Sequence, residues 1–265
     1  MEIILPIIIL TVLGLIGSIV LVVAAKFMSV EQDPRIDQVT GCLPGANCGA
    51  CGYAGCADYA KAVVEGGAPV NLCVPGGANA AKDVAAVMGV EAGATAVVKA
   101  VVGCQGKPGV CHPHFDYQGI SSCAAAAMLH GGPKACTYGC MGLGDCVKVC
   151  KFDALHIVDG IAVVDTEKCT GCGACAKVCP HGVIHVLGVT PEKPRVLCNT
   201  TDKGALAMKA CTTSCIGCMK CQKTCEHDAI KVENFLARID YTKCVGCGAC
   251  VDVCPKKVIQ FENRA

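Results

Sequence analysis

The sequence predicts an α+β protein in which an N-terminal transmembrane helix precedes a small four-cysteine domain and two similar modules in tandem. Three observations lead to this prediction: an uncharged apolar run near the N-terminus, a content of 26 cysteines in 265 residues, and a four-cysteine motif that recurs along the C-terminal half. Cysteines at about a tenth of a chain make a cysteine-based scaffold the leading interpretation. The formal net charge of +1 gives no support to a nucleic-acid partner.

The uncharged run extends from Ile3 to Ala25. As a helix its 23 residues reach roughly 35 Å, enough to cross a hydrocarbon core of about 30 Å in a lipid bilayer. The nearest basic residues, Lys26 and Arg35, follow the run, so the positive-inside rule places the bulk of the chain in the cytoplasm. A cleaved signal peptide is the alternative, although it would want basic residues first and a shorter apolar region. We therefore expect a single-pass anchor in the cell membrane over residues 1–28.

A polar connector, Ser29 to Thr40, is predicted to open a small domain over residues 29–92. The chemistry of this four-cysteine domain lies in one set of thiols: Cys48, Cys51, Cys56 and Cys73. Glycines between them let the loop wrap closely, so that backbone N–H groups can point at the sulfurs of a [4Fe–4S] cluster. We expect helices through DYAKAVVEGG and from Ala78 to Ala92, with Cys42 as a spare buried thiol.

The recurring motif is the run C-x2-C-x2-C-x3-C, followed by proline in two of its copies. Two-cluster bacterial ferredoxins contain this run, which binds [4Fe–4S] clusters and sends its fourth cysteine to the neighbouring cluster. A leucine replaces the second cysteine in one copy. In chain order the copies are run 1 (Cys140, Leu143, Cys146, Cys150), run 2 (Cys169, Cys172, Cys175, Cys179), run 3 (Cys215, Cys218, Cys221, Cys225) and run 4 (Cys244, Cys247, Cys250, Cys254).

Runs 1 and 3 lie in segments, 134–150 and 209–225, that align without a gap. Each of these runs is followed by a short predicted hairpin and then by a second run. This internal repeat predicts two tandem bacterial-ferredoxin-like modules, each a pseudo-two-fold α+β unit with two clusters. We place module 1 at residues 93–190 and module 2 at residues 191–265, with the boundary near the linker from Thr190 to Pro194.

The ferredoxin rule assigns to each cluster the first three cysteines of one run and the fourth cysteine of its partner run. Three sets are complete: Cys215, Cys218, Cys221 with Cys254; Cys244, Cys247, Cys250 with Cys225; and Cys169, Cys172, Cys175 with Cys150. The remaining set is one thiolate short, because it contains only Cys140, Cys146 and Cys179. Cys136 lies four residues before Cys140, and we expect it to fill the corner that Leu143 leaves vacant.

A further group of cysteines follows an apolar β run from Ala94 to Val102. The group comprises Cys104, Cys111 and Cys123. We expect a fourth ligand from Cys198 or Cys211, if the β runs that lead into the two modules lie side by side. The alternative is that Cys136 serves this group instead. The chain would then hold five or six [4Fe–4S] clusters, and the roles of Cys42 and Cys211 stay open.

Zinc is the main alternative to iron–sulfur clusters, because four thiolates also suit a structural zinc site. Such sites usually use paired C-x2-C knuckles, so a zinc-stabilised scaffold is kept as the alternative from a different class. The chain has no Rossmann glycine motif after a strand, no P-loop and no charge inside the apolar run, so we expect neither an NAD site nor an ion site in it. Lysines crowd the runs, either as a solvated surface or as a basic rim that steers an acidic partner: Lys148, Lys151, Lys177, Lys220, Lys223, Lys256 and Lys257.

The phrases LPGANCGACGYAGC and GGPKACTYGCMGLGDCVKVCKFDAL, with the DKG after Cys198, resemble the long, cluster-rich form of one family. This family is the B subunit of the Rnf complex, the ion-translocating ferredoxin:NAD+ oxidoreductase of anaerobic bacteria, and the resemblance covers essentially the whole chain. It implies a translocase-class enzyme in which this subunit accepts electrons from reduced soluble ferredoxin. The electrons would pass to flavin- and cluster-bearing subunits that reduce NAD+ and drive Na+ or H+ export. An iron–sulfur subunit of another membrane-bound oxidoreductase is the nearest alternative.

Overall fold

The first element is a long apolar helix in a computed structural model that describes residues 4–27, 33–94, 97–188 and 192–261. Helix α1 is Ile4–Phe27, and its 24 residues reach about 36 Å. In the described part of the chain it is the one helix long and apolar enough to cross a membrane, and the window Ile7–Ala24 packs against nothing. The hydroxyls of Thr11 and Ser18 donate to backbone carbonyls one turn earlier, so neither is left without a partner in an apolar environment. The predicted start of the span, Ile3, lies outside the described residues.

Helix α2, Pro34–Cys42, corrects the prediction of a polar connector. Asp33 caps this helix by accepting a hydrogen bond from the Arg35 amide at 2.9 Å, and a proline at the first helical position suits a helix start. Ile36 and Val39 stand one turn apart on the same face and are both buried. The segment therefore belongs to the core of the four-cysteine domain, while Ser29–Gln32 of the predicted connector lies outside the described residues.

Two further helices complete the four-cysteine domain: α3, Cys56–Gly66, and α4, Gly77–Met88. The helix predicted through DYAKAVVEGG is confirmed. The helix predicted from Ala78 to Ala92 ends at Met88, because Gly89 has a φ of 68° and closes it in the left-handed conformation. Tyr59 is buried at the centre of the domain, where its hydroxyl donates to the Pro69 carbonyl at 2.7 Å.

Module 1 contains two antiparallel strand pairs and three short helices, one before run 1 and one inside each of runs 1 and 2. Its elements are β1, Lys99–Val102; α5, Cys123–Ala127; α6, Asp145–Lys148; β2, Leu155–Val158; β3, Ile161–Val164; α7, Ala174–Val178; and β4, Ile184–Leu187. Strand β2 pairs with β3 as the predicted hairpin, and β1 pairs with β4. The pairing of β1 with β4 closes the module, because it joins the segment before run 1 to the segment after run 2. Thr95 and Ala96 of the predicted β run lie outside the described residues.

Module 2 repeats this arrangement with shorter edge strands. Its elements are β5, Arg195–Val196; α8, Gly204–Ala210; α9, Lys220–Thr224; β6, Ile230–Glu233; β7, Leu236–Ile239; α10, Ala249–Asp252; and β8, Ile259–Gln260. Strand β6 pairs with β7 as the second predicted hairpin, and β5 pairs with β8. The two lead-in strands, β1 and β5, thus pair within their own modules and not with each other, unlike the arrangement that the sequence analysis allowed. Thr190 and Pro191 of the predicted linker lie outside the described residues.

The two modules meet through the segments that precede runs 1 and 3. Cys111 faces Cys211 in an isolated antiparallel bridge. The His112 amide donates to the Ala210 carbonyl at 3.0 Å, and the Thr212 amide donates to the Val110 carbonyl at 3.0 Å. This short backbone ladder brings cysteines of both modules to one place, although the lead-in strands themselves do not pair.

The four-cysteine domain lies against module 1. The Lys151 ammonium donates to the Ala46 carbonyl at 2.6 Å. Gly49 lies nearby, since a Cβ on it would lie 3.6 Å from the Lys177 ammonium nitrogen. Both contacts join the loop that carries Cys48 to a cysteine run of module 1, at the residue after Cys150 and within α7. The domain limits at residues 28/29, 92/93 and 190/191 stay predictions.

Candidate metal centres

The loop of the four-cysteine domain brings its four predicted thiols into one group. Burial raises the pKa of the Cys73 thiol, and the nearby Cys56, Cys48 and Cys51 raise it further. Asn47 holds the start of α3 by accepting a hydrogen bond from the Cys56 amide at 2.7 Å. Cys42 stands outside this group, half-buried, with its sulfur 3.3 Å from the Gln38 carbonyl oxygen.

Module 2 gathers its eight thiols around two cavities, each of which takes its fourth cysteine from the other run. One cavity is lined by Cys215, Cys218, Cys221 and Cys254. The other is lined by Cys225, Cys244, Cys247 and Cys250. The exchange of the fourth cysteine is the arrangement of a two-cluster ferredoxin.

Module 1 gathers one set in the same way. Burial raises the pKa of the Cys175 thiol to about 11, and its neighbours Cys169, Cys172 and Cys150 contribute. The amide of Ala100, on β1, points at the Cys169 sulfur over 3.4 Å. Hydrogen bonds of this kind stabilise a thiolate ligand.

The incomplete set of module 1 differs from the sequence prediction. Burial raises the pKa of the Cys146 thiol to about 12, and the neighbouring thiols that add to this effect include those of Cys140, Cys123 and Cys179. Cys136 is not brought to this corner. The chain turns between Cys136 and Cys140, where the Gly139 amide donates to the Cys136 carbonyl at 3.3 Å, and the thiols that act on Cys136 are those of Cys104 and Cys211.

Cys136 instead lies with Cys104 and Cys111, the first two cysteines of the group predicted after the β run. Cys123, the third predicted member, lies apart from them. A Cβ on Gly139 would lie 3.5 Å from the Cys104 sulfur and 3.6 Å from the Cys136 sulfur. Burial raises the pKa of Cys136, and the charges of Cys104 and Cys211 add to this. The sequence prediction placed Cys136 in the incomplete set and Cys123 with Cys104, whereas the structure has the reverse. Distance along the chain is a poor guide to which thiols meet, because an insertion here folds back onto run 1.

Five thiols line a cavity between the modules, which we call the inter-module cavity: Cys104, Cys111, Cys136, Cys198 and Cys211. The neighbouring Cys111 lowers the pKa of the Cys211 thiol, while the Cys111 thiol itself donates to the His112 carbonyl at 3.8 Å. Both Cys198 and Cys211 are thus present, where the sequence suggested one or the other.

The two modules contribute to this cavity symmetrically. The Cys140 amide donates to the Cys104 sulfur at 3.3 Å, and the Cys215 amide donates to the Cys198 sulfur at 3.3 Å. Val102 pairs with Ile184 of β4, and Val196 pairs with Ile259 of β8, which lies 75 positions after Ile184. Cys104 and Cys198 each come two residues after these valines and are therefore structural equivalents. Cys136 and Cys211 occupy equivalent positions in the aligned segments.

The residues around these sites suit iron–sulfur clusters. All 26 cysteines are free. Among the described residues, no group of three or more His, Cys, Asp or Glu side chains is placed to hold a single metal ion. Two buried hydroxyls beside the cysteines, Thr170 Oγ1 and Ser214 Oγ, have no partner in the described part of the chain, and Ser214 lines the inter-module cavity. Unpaired buried donors of this kind suit the sulfides of a cluster.

Sequence reasoning missed Lys134 as well as Ser214. The Lys134 ammonium also lines the inter-module cavity and donates to three backbone carbonyls. Its repeat counterpart, Lys209, is exposed, so the alignment carried no signal for this role. The sequence did carry one signal for the different roles of Cys123 and Cys136. Cys104 and Cys136 are 32 positions apart, whereas Cys198 and Cys211 are 13 apart, so module 1 contains an insertion at this place.

Comparisons with known proteins agree with this arrangement. Residues 43–75 match a family described as a putative Fe–S cluster, residues 162–185 match a 4Fe–4S binding domain, and residues 214–258 match a 4Fe–4S dicluster domain. These matches confirm an iron–sulfur domain followed by ferredoxin-like domains. The match in module 1 contains run 2 and not the damaged run 1.

Three relatives match almost the whole chain. The B subunit of the Na+-translocating ferredoxin:NAD+ oxidoreductase complex of Acetobacterium woodii is 46% identical over 243 residues, 91% of this chain and 72% of the relative. The B subunit of an ion-translocating oxidoreductase complex of Methanosarcina acetivorans is 46% identical over 86% of each chain. The B subunit of the proton-translocating complex of Clostridium ljungdahlii is 47% identical over 90% of this chain and 84% of the relative. The chain therefore belongs to the family of B subunits of ion-translocating oxidoreductase (Rnf) complexes, as a membrane-associated iron–sulfur subunit that transfers electrons.

Proposed function

We propose that this subunit accepts electrons from reduced ferredoxin and passes them to other Rnf subunits, for NAD+ reduction coupled to Na+ or H+ translocation. The observation that carries the proposal is the unbroken series of thiol sets from the four-cysteine domain to the end of module 2. Two relatives carry ferredoxin:NAD+ oxidoreductase in their names, one as a Na+-translocating and one as a proton-translocating complex. Clusters bound by these thiols would each take up and release one electron, while the chain holds them and shields them from water.

The experiment is anaerobic purification of the chain with its partners, followed by mixing with reduced ferredoxin. We expect bleaching of the visible cluster absorbance within milliseconds to seconds, and co-purification of flavin-bearing subunits. Co-purification with subunits of an unrelated membrane oxidoreductase would favour the nearest alternative. Stoichiometric zinc without iron or sulfide would leave only the scaffold alternative.

The cluster count that we propose is six, with one cluster in each ferredoxin-type set, one in the four-cysteine domain and one in the inter-module cavity. The two-fold relation between the modules favours the equivalent thiols as ligands in that cavity: Cys104, Cys136, Cys198 and Cys211. Cys111 has no counterpart in module 2, and its thiol donates to the His112 carbonyl at 3.8 Å. Six four-iron clusters predict about 24 iron atoms per chain, against about 20 for five.

Single variants test this ligand set. Cys198→Ser is expected to remove about four iron atoms per chain and one set of spectroscopic signals. Cys111→Ser is expected to retain them, because Cys111 lies outside the set of equivalent thiols that the two modules contribute. If Cys111→Ser loses the cluster and Cys198→Ser keeps it, Cys111 is the ligand in place of Cys198.

For the encounter with ferredoxin we propose the basic rim of module 2. The rim lysines of module 1 are engaged elsewhere, since Lys148 pairs with Asp145 and Lys151 contacts the four-cysteine domain. Four rim lysines of module 2 have no salt-bridge partner among the described residues: Lys220, Lys223, Lys256 and Lys257. Small ferredoxins are usually acidic, so unpaired lysines beside exposed cysteines would steer them.

Stopped-flow reduction tests the docking surface. The double change of Lys220→Glu and Lys223→Glu should lower the bimolecular rate with ferredoxin about tenfold or more at low salt, and it should weaken the salt dependence. Lys82→Glu, an exposed lysine on α4, is the matched control and should change the rate little. Rates that ignore both the double change and ionic strength would refute the docking proposal.

We further propose that α1 anchors the chain by a single pass and that modules 1 and 2 face the cytoplasm. Lys26, at the end of α1, and Arg35 both follow the apolar run in sequence, and a reducing compartment suits 26 free thiols. A C-terminal reporter that is active only after export should be inactive. Activity of that reporter, or a mature chain that lacks residues 1–28, would contradict the topology.

A further inference from the structure

Run 1 leaves one corner of an otherwise complete thiol set without a ligand. Leu143 stands where the second cysteine of the motif would stand, and leucine has no atom that can bind iron. In module 2 the corresponding residue is Cys218, which is exposed. A cluster at the three remaining thiols would therefore need a ligand from outside the ferredoxin motif.

A loop from outside the motif is fastened to this corner. The Asp145 carboxylate, at the start of α6, accepts hydrogen bonds from the Ser122 hydroxyl at 2.8 Å and from the Ala124 amide at 3.0 Å. Cys123 lies between these two residues, so one carboxylate holds the chain on both sides of its thiol.

A second pair of contacts holds the same loop from the other side. The Lys148 ammonium, also on α6, donates to the Ser121 carbonyl at 2.7 Å. The Ser121 hydroxyl lies 3.5 Å from the carbonyl oxygen of Leu143, the residue that displaces the cysteine. The loop is therefore held against the vacant corner itself, and Cys123 is half-buried there next to Cys146.

The length of module 1 explains how this loop reaches run 1. The lead-in of module 1 is 19 residues longer than that of module 2, since Cys104 to Cys136 spans 32 positions and Cys198 to Cys211 spans 13. The extra residues include Cys123 and the start of α5. The module with the defective run is thus the module with the insertion, and the insertion carries a thiol to the defect.

We propose that Cys123 is the fourth ligand of the cluster bound by Cys140, Cys146 and Cys179, in place of the cysteine that Leu143 displaces. This inference rests on the proposed occupancy of the thiol sets by [4Fe–4S] clusters. It assigns a ligand that the ferredoxin motif does not contain. It also makes Asp145 and Ser122 positioning residues, because they orient the loop without binding iron.

The test compares anaerobically purified full-length variants by iron content, acid-labile sulfide and electron paramagnetic resonance. Cys123→Ser should lose between about one and about four iron atoms per chain, as a three-iron centre forms or the cluster leaves. Cys42→Ser is the matched control, because this half-buried thiol lies outside the four predicted thiols of its domain and its sulfur is 3.3 Å from a helix carbonyl oxygen, and it should keep the wild-type iron content. Wild-type iron and spectra in Cys123→Ser would overturn the assignment.

A rescue variant separates ligation from loop folding. Leu143→Cys in the Cys123→Ser background restores the ferredoxin motif and should restore the four-iron signal. If the double variant remains defective, Cys123 acts through the fold of its loop and the proposal fails. If Cys123→Ser and Cys104→Ser abolish the same signal, Cys123 belongs to the inter-module cavity and the proposal also fails. A wild-type chain without iron or sulfide would instead refute the proposed function.

Discussion

Lys134 provides the sharpest test of how the structure holds the cluster sites together. Its ammonium group donates to the Gly106 carbonyl at 2.8 Å, to the Cys140 carbonyl at 2.7 Å and to the Gly160 carbonyl at 2.8 Å. These acceptors come from the loop after β1, from run 1 and from the turn between β2 and β3. One side chain thus ties together three segments around the incomplete set and the inter-module cavity.

We predict that Lys134→Met destabilises module 1 by about 2–5 kcal/mol. Methionine keeps the length and apolar stem of lysine but removes all three donors. A buried acceptor left without a partner costs about 1–3 kcal/mol. Lys134 is half-buried, so water replaces some of the lost bonds, which sets the total below the sum of three full penalties. Because a barrier change of about 1.4 kcal/mol alters a rate tenfold, cluster loss should accelerate at least tenfold.

The assay is the bleaching of visible cluster absorbance in denaturant with an iron chelator, under anaerobic conditions. The matched control is Lys209→Met, which changes the equivalent lysine of the repeat. Lys209 is exposed at the end of α8, so its loss should change stability by no more than about 0.5 kcal/mol. The accelerated phase in Lys134→Met should carry the absorbance of the clusters next to this lysine, and the remaining absorbance should bleach at the wild-type rate. Equal bleaching rates for the two variants would refute the role assigned to Lys134.

Three other substitutions test separate parts of the fold. Val39→Ala, at a fully buried position of α2, should destabilise the four-cysteine domain by about 2 kcal/mol in denaturant titrations, and no change would mean that α2 does not belong to its core. Gly171→Ala should abolish the run 2 cluster signal, because the new Cβ would stand 2.3 Å from the Val98 carbonyl oxygen at a φ of 73°. Gly182→Ala is the control and should keep the signal, because the space around Gly182 is open. Burial lowers the pKa of His185, so its neutral form is favoured in the folded state. The stability of the fold should therefore be full above pH about 6.5 and fall as the pH drops through that value. His185→Gln should flatten this pH dependence in unfolding-rate measurements.

The sequence alone was sufficient for the parts of the protein whose chemistry is local. The spacing within runs 2, 3 and 4 predicts which thiols share a site, because residues three apart in one loop stay together in any fold of that loop. The hairpins after runs 1 and 3 and the helix α3 were predicted from alternation and helical pattern, and the structure confirms them. The uncharged run predicted α1 by length and composition.

The helix α2 marks the first limit of sequence reasoning. Residues 34–42 are polar on average, and only Ile36 and Val39 face the core. Two buried residues in nine are too few to reveal an amphipathic helix beside so many charged and polar neighbours. The packing of this short segment against α3 and α4 decided its structure.

The tertiary structure decided which cysteines outside the runs share a site. Cys136 is close to Cys140 in sequence, yet a turn directs it to Cys104, Cys198 and Cys211. Cys123 is 20 positions from Leu143, yet hydrogen bonds through Asp145 fasten it to run 1. A motif with fixed spacing carries its geometry in the local chain, and its ligands follow from the sequence. A site assembled from an insertion and from two modules depends on how distant segments pack, and only the folded chain determines it.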